Sequence, residues 1–184
     1  MNRYPVIRIT GIILIIFLGG FSVSAQTSST QTVNLTFANV VEILFTGTGS
    51  TTGSDVTIPF VNLDDYTNGV ESSEYQLRVR SNKDFNVTVK TNAANFTYSG
   101  STSPAPVMPV SGKLLLKVTT NSTGGSIASP FSGYTSLTSS NQSLINSGSR
   151  GGNQTFAVKY QGKPGFGFPA GDYTVNVIYT VTQQ

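Results

Sequence analysis

The 184-residue sequence contains no cysteine, no histidine and no tryptophan. Without Cys or His, thiol nucleophiles, Ser-His-Asp triads and zinc sites of the usual kind have no residues from which to be built. Disulfides and an acylated N-terminal Cys are excluded as well, so any core is held by packing alone. Charge is also scarce, at 10% of residues. The 11 Lys and Arg include Arg3 and Arg8 and face 8 Asp and Glu, which leaves residues 26–184 close to neutral. That is no electrostatic footprint for nucleic acid. The last absence is of helical periodicity, which no long window sustains.

The N-terminal stretch MNRYPVIRITGIILIIFLGGFSVSA places Arg3 and Arg8 before an apolar run from Ile12 to Leu18, with Val23 and Ala25 at small-residue cleavage positions. This reads as a secretory signal peptide over residues 1–25. The apolar run falls short of the roughly 20 residues a membrane span needs, so no membrane span is expected after cleavage. Residues 26–184 then form one domain.

Segments rich in Val, Thr, Ile, Phe and Tyr recur between clusters of Gly, Ser, Asn and Pro, the pattern of an all-β chain. Thr32 to Phe37 is expected as a strand with Val33, Leu35 and Phe37 inward, followed by Val40 to Phe45. Asp55 to Val61 alternates Val56, Ile58 and Phe60, with Pro59 pointing to an edge position. Glu74 to Arg80 and Phe85 to Thr91, joined by Ser81-Asn82-Lys83-Asp84, read as a hairpin. Phe96 and Tyr98 suit a short strand, three prolines (Pro104, Pro106, Pro109) impose an extended crossing, and Lys113 to Val118 follows. From Thr119 to Gly152 a Ser/Thr/Asn/Gly-rich excursion is tethered by Ile127, Phe131, Tyr134, Leu137, Leu144 and Ile145, with room for one short strand. Gln154 to Tyr160 is another strand. The chain ends on AGDYTVNVIYTVTQQ, in which Tyr173, Val175, Val177, Tyr179 and Val181 share one face. The set predicts an all-β fold, a single antiparallel immunoglobulin-like β-sandwich of about seven to nine strands, with the terminal strand closing a sheet.

Chemistry has few places to reside. The serines stand in turn-like sequence without a G-x-S-x-G elbow or an S-x-x-K arrangement. The eight carboxylates are scattered, so a glycosidase pair has no focus. No catalytic residue, metal site or cofactor is therefore assigned, and the chain is read as a non-enzyme. The densest acidic stretch, NLDDYTNGVESSE from Asn62 to Glu74, lacks EF-hand spacing; it is read as a solvated turn at Asn68-Gly69 rather than a calcium loop. Tyr66, Phe166 and Phe168 are candidate stacking residues for a glycan, or else plugs for one end of the sandwich.

One resemblance emerges from these motifs. The Y-T-N-G-V turn at Tyr66 to Val70, the L-x-V-x-S-x-x-x-F-x-V-x-V run from Leu77 to Val89, and the F-x-V-x-Y and A-G-D-Y-T-V-x-V-x-Y-T-V sequences after Gln154 resemble a secreted bacterial surface-protein family of unknown function. That family is itself similar to spore coat protein U and to chaperone–usher pilin-like subunits. The likeness implies a non-catalytic structural or adhesive module of the cell envelope, in the periplasm or on the cell surface. It also implies protein partners or self-association, in some relatives by passing a strand between neighbours. Pilin subunits carry a glycine fourteen places from the end, where Gly171 stands, and an aromatic next to last, where this chain has Gln183 and its nearest aromatic is Tyr179. Candidate strand-exchange residues are thus Val33, Leu35 and Phe37 in the arm, and Gly171, Tyr173, Val175, Val177, Tyr179 and Val181 at the tail. The competing expectation, preferred on length, makes the arm the first strand of a complete domain. The alternative function is a carbohydrate-binding module.

Overall fold

The computed structural model describes residues 27–184. The signal-peptide expectation for residues 1–25 lies outside them. The chain divides into two units at Thr36 and Phe37. In the first, residues 27–36 form neither helix nor strand and are exposed. All the regular structure among the described residues belongs to the second.

In chain order its elements are β1 (Val41–Phe45), α1 (Leu63–Asn68), β2 (Val70–Glu71), β3 (Tyr75–Ser81), β4 (Phe85–Thr91), β5 (Thr97–Ser99) and β6 (Leu114–Ser122). Then come β7 (Ser126–Ile127), β8 (Thr135–Ser136), β9 (Gln142–Gly148), β10 (Gly151–Gly162), β11 (Asp172–Thr174) and β12 (Val177–Gln183). One sheet runs β1-β3-β10-β6-β8, with β2 also on β10; a second runs β12-β4-β9-β7; β11 and β5 form a separate pair. Every pairing is antiparallel. The all-β expectation is therefore met.

The core lies between the inner faces of the two large sheets. Leu77 and Val79 of β3, Leu116 of β6 and Phe156 and Val158 of β10 meet Phe85, Val87 and Val89 of β4 and Leu144 and Ile145 of β9. β3, β4 and β6 contribute alternate residues because the pleat turns every second side chain inward, whereas β9 buries the adjacent pair Leu144 and Ile145. Arg78, Arg80, Lys117 and Lys159 take the intervening positions, where Glu71 lies 3.8 Å from the Lys117 ammonium and 3.9 Å from that of Lys159.

Four expectations are corrected. Thr32–Phe37 is not a strand and its apolar residues are not inward: Val33, Leu35 and Phe37 are 75%, 76% and 81% exposed. None of the three belongs to the core cluster, and residues 32–37 lie in no strand. Residues 55–61 join no ladder either, although Ile58 packs against the core and Phe60 lies over Gly162. A segment without a ladder partner is what Pro59, lacking an N–H, permits. β3 and β4 are not a hairpin: they belong to opposite sheets, and Ser81–Asp84 arches between them. Alternation shows which side chains turn inward and is blind to which layer supplies the strand. Finally, the Thr119–Gly152 excursion is tethered by buried Phe131, Leu137, Leu144 and Ile145 as expected, but it holds β7, β8 and the seven-residue β9 where room for one short strand was expected.

Candidate interaction site

The tail splits in two. Asp172–Thr174 pairs with β5, and Val177–Gln183 pairs with β4 from Val177↔Thr91 to Gln183↔Phe85. β12 therefore has a ladder on one flank only, and no main-chain hydrogen bond reaches its other flank among the described residues. The terminal strand is an edge, where a closing strand was expected. Its inner side chains Val177, Tyr179 and Val181 are half-buried against the core, while Ile178, Thr180 and Thr182 face out.

β1, the edge of the opposite sheet, lies alongside. Between the two edges is a cavity of about 190 Å³ lined chiefly by Ile43, Phe45, Leu77, Val177 and Tyr179. The Tyr179 ring meets Phe45 edge-on at 6.0 Å and Phe156 at 6.3 Å. Its hydroxyl bonds that of Tyr160 at 2.8 Å. Burial first, and the proximity of Tyr160 second, hold the Tyr179 phenol well above its ordinary range; burial pushes Tyr160 up to about 12. Both are neutral at any physiological pH and serve as packing with an internal hydrogen bond.

Gly171 has a local reason to be glycine. Its φ is 152°, and a Cβ there would run into the Tyr98 ring and the Ser99 carbonyl oxygen. Tyr98 is held over this point by donating its hydroxyl to the Ala170 carbonyl at 3.1 Å, and it packs on Tyr173 with ring centres 5.1 Å apart. Val175 is half-buried against the core in the break between β11 and β12. Of the tail candidates, then, Val177, Tyr179 and Val181 share the β12 edge, whereas Tyr173 belongs to the small β5–β11 pair and Gly171 stands just ahead of it.

The aromatic candidates also separate. Tyr66 stacks on Phe166 with ring centres 5.4 Å apart and planes 21° off parallel, and Phe60 leans on Tyr66 at 5.4 Å. Phe166 is 64% exposed, so it does not plug the sandwich end. Phe168 stands apart, against Tyr173 at 6.4 Å and under the Lys113 ammonium at 5.7 Å. Tyr66 is carried by α1, which starts from an Asn62 capping box: Asp65 N–H donates to Asn62 Oδ1 at 3.0 Å, and Asp65 Oδ2 accepts from Asn62 N–H at 3.1 Å. It also accepts from Val61 N–H at 2.7 Å. Asp65 therefore caps the N-terminal end of a short helix, which accounts for its place in the acidic stretch.

The residues that sequence reasoning missed are Asn82 and Gln183, which bond the main chain just ahead of β1. Their signal in the sequence is slight, an Asn in a turn and an amide where the pilin likeness expects an aromatic.

No protein-family model and no curated protein matches the chain. Among solved structures it is similar to a chain from the structure of a chaperone–usher pilus, at 10% identity and a TM-score of 0.36, over 88% of this chain and 99% of that one. At that identity and score the likeness transfers no function.

Proposed function

We propose that the chain is an exported, non-catalytic structural subunit of the cell envelope whose copies associate by strand addition. Residues 32–37 of one copy lie along the free flank of β12 of another. The observation that carries this reading is a matched pair of unfilled features: a seven-residue edge strand with no partner on one side, and an arm with Val33, Leu35 and Phe37 exposed at period two. An unpaired edge is a template for another chain, and main-chain bonding supplies affinity while alternate side chains supply register. Nothing on β12 discourages pairing, since VIYTVTQ carries no charge and no proline. The signal-peptide pattern and the sequence resemblance support export.

Burying three apolar side chains contributes about 1.5–3 kcal/mol each. Ordering a six-residue arm costs about 1–2 kcal/mol per residue. The two nearly cancel, so association draws on the added main-chain bonds and depends on concentration. The test is the mass of the 26–184 chain against that of a form lacking residues 26–37. The shortened form is expected to stay folded and monomeric at concentrations where the longer one associates. A longer form that remains monomeric throughout, or a shortened form that unfolds, would refute the reading.

The stacked Tyr66–Phe166 pair favours a second reading, a glycan platform, because an exposed ring face suits the apolar face of a sugar. Glycan-array binding that disappears in Phe166→Ala and survives in Phe168→Ala would establish it.

A further inference from the structure

The main chain just ahead of β1 is bonded by two side chains from distant parts of the sequence. Asn82, in the arch between the sheets, donates from Nδ2 to the Ala38 carbonyl at 2.7 Å and accepts at Oδ1 from Val40 N–H at 3.0 Å. The Asn82 main-chain N–H points to the Val40 carbonyl at 3.3 Å. Gln183, the last residue of β12, donates from Nε2 to that same Val40 carbonyl at 2.8 Å. The same nitrogen lies 3.0 Å from Ser81 Oγ and 3.1 Å from Asn82 Oδ1, linking the two amides.

The geometry resembles sheet pairing. In a parallel ladder, one residue donates to the carbonyl before its partner and accepts from the N–H after it. The Asn82 side-chain amide does the same to Ala38 and Val40 on either side of Asn39. A primary amide is chemically a peptide group on a stalk, so it extends the bonding of β1 by a step where no strand is available. Neither Asp nor Leu reproduces this, for one lacks the donor and the other both groups.

We propose that Asn82 and Gln183 are positioning residues for self-association: they hold residues 38–40 extended in line with β1, so that the arm starts from an ordered strand root before a second copy binds. This rests on the reading of the arm as the associating strand. Both residues stand at the junction of the two sheets, Asn82 in the arch and Gln183 at the end of β12, so the root is tied to each layer.

The test uses the 26–184 chain and the near-isosteric variants Asn82→Leu and Gln183→Met, with Asn82→Asp as the partial restoration that keeps the acceptor. Freed of its partner, the Val40 amide is expected to exchange about tenfold faster in Asn82→Leu while the melting temperature stays near that of the parent. Association measured by sedimentation should weaken by about tenfold in Asn82→Leu and Gln183→Met, with Asn82→Asp between, because part of the ordering cost then returns to the binding step. An unchanged Val40 exchange rate in both variants overturns the proposal, and so does faster exchange with undiminished association. A parent chain that fails to associate at all refutes the strand-addition reading instead, and this inference with it. If one variant does not fold, the other decides.

Discussion

Tyr160 and Tyr179 show at the scale of single residues how much the seam beneath β12 depends on neutral hydroxyls. Their phenols are raised above the ordinary value of 10.0, Tyr160 to about 12, so the folded state keeps protons that the unfolded chain sheds. Their contribution to stability is complete below about pH 10, the unfolded value, and is lost as pH climbs through the folded value. Denaturant midpoints should accordingly decline above pH 10 and decline less steeply in Tyr160→Phe/Tyr179→Phe. Either single Phe variant strands one hydroxyl and should cost about 1–3 kcal/mol, more than half the double replacement, a non-additivity that a double-mutant cycle reads directly. Gly171→Ala combines a disfavoured φ with a clash against Tyr98 and Ser99; a loss of about 1–3 kcal/mol is expected by chemical denaturation.

The element that matters most is β12. A charged residue on the outward face of an edge strand is a known deterrent to pairing. Thr180→Lys, at an exposed position, should thus leave the melting temperature nearly unchanged and suppress association in sedimentation. Much of the element list was legible in the sequence because period-two alternation is direct evidence of a half-buried strand: Leu77-x-Val79, Phe85-x-Val87-x-Val89 and Phe156-x-Val158 all turn inward as expected. The partners of those strands were not legible. Tight turn chemistry at Ser81–Asp84 looks the same whether the chain doubles back within a sheet or crosses to the facing one. Only room for a short strand was legible at β9, because its buried pair, Leu144 and Ile145, are adjacent, with a register shift between Val87 and Thr88 in the ladder to β4 that breaks the alternation. The arm was legible as alternating and misread as inward, since exposure depends on whether another strand is there to cover it. Of the interaction site, the apolar tail face could be read, whereas Asn82 and Gln183 act through amide geometry that no hydrophobic pattern records.

Across the whole molecule, protection from hydrogen exchange should follow the layering. The central strands β4 and β10, bonded on both flanks, are expected to exchange slowest, and β12 should show protection at alternate amides only. Uniform protection along Val177–Gln183 in dilute protein would mean that the free flank is covered. The unit from Phe37 to Gln184 carries all of the described core. Shortening the arm should therefore leave both denaturant midpoint and m-value close to those of the longer chain.

The composition of that edge has a consequence for how the association responds to its surroundings. Contacts between charged faces weaken as mobile ions accumulate, yet VIYTVTQ and the arm segment TVNLTF bring no ionisable carboxylate or amine to the junction. Filaments or clusters formed this way would withstand brackish and dilute media alike and yield instead to urea, which competes for peptide groups and greasy surface together.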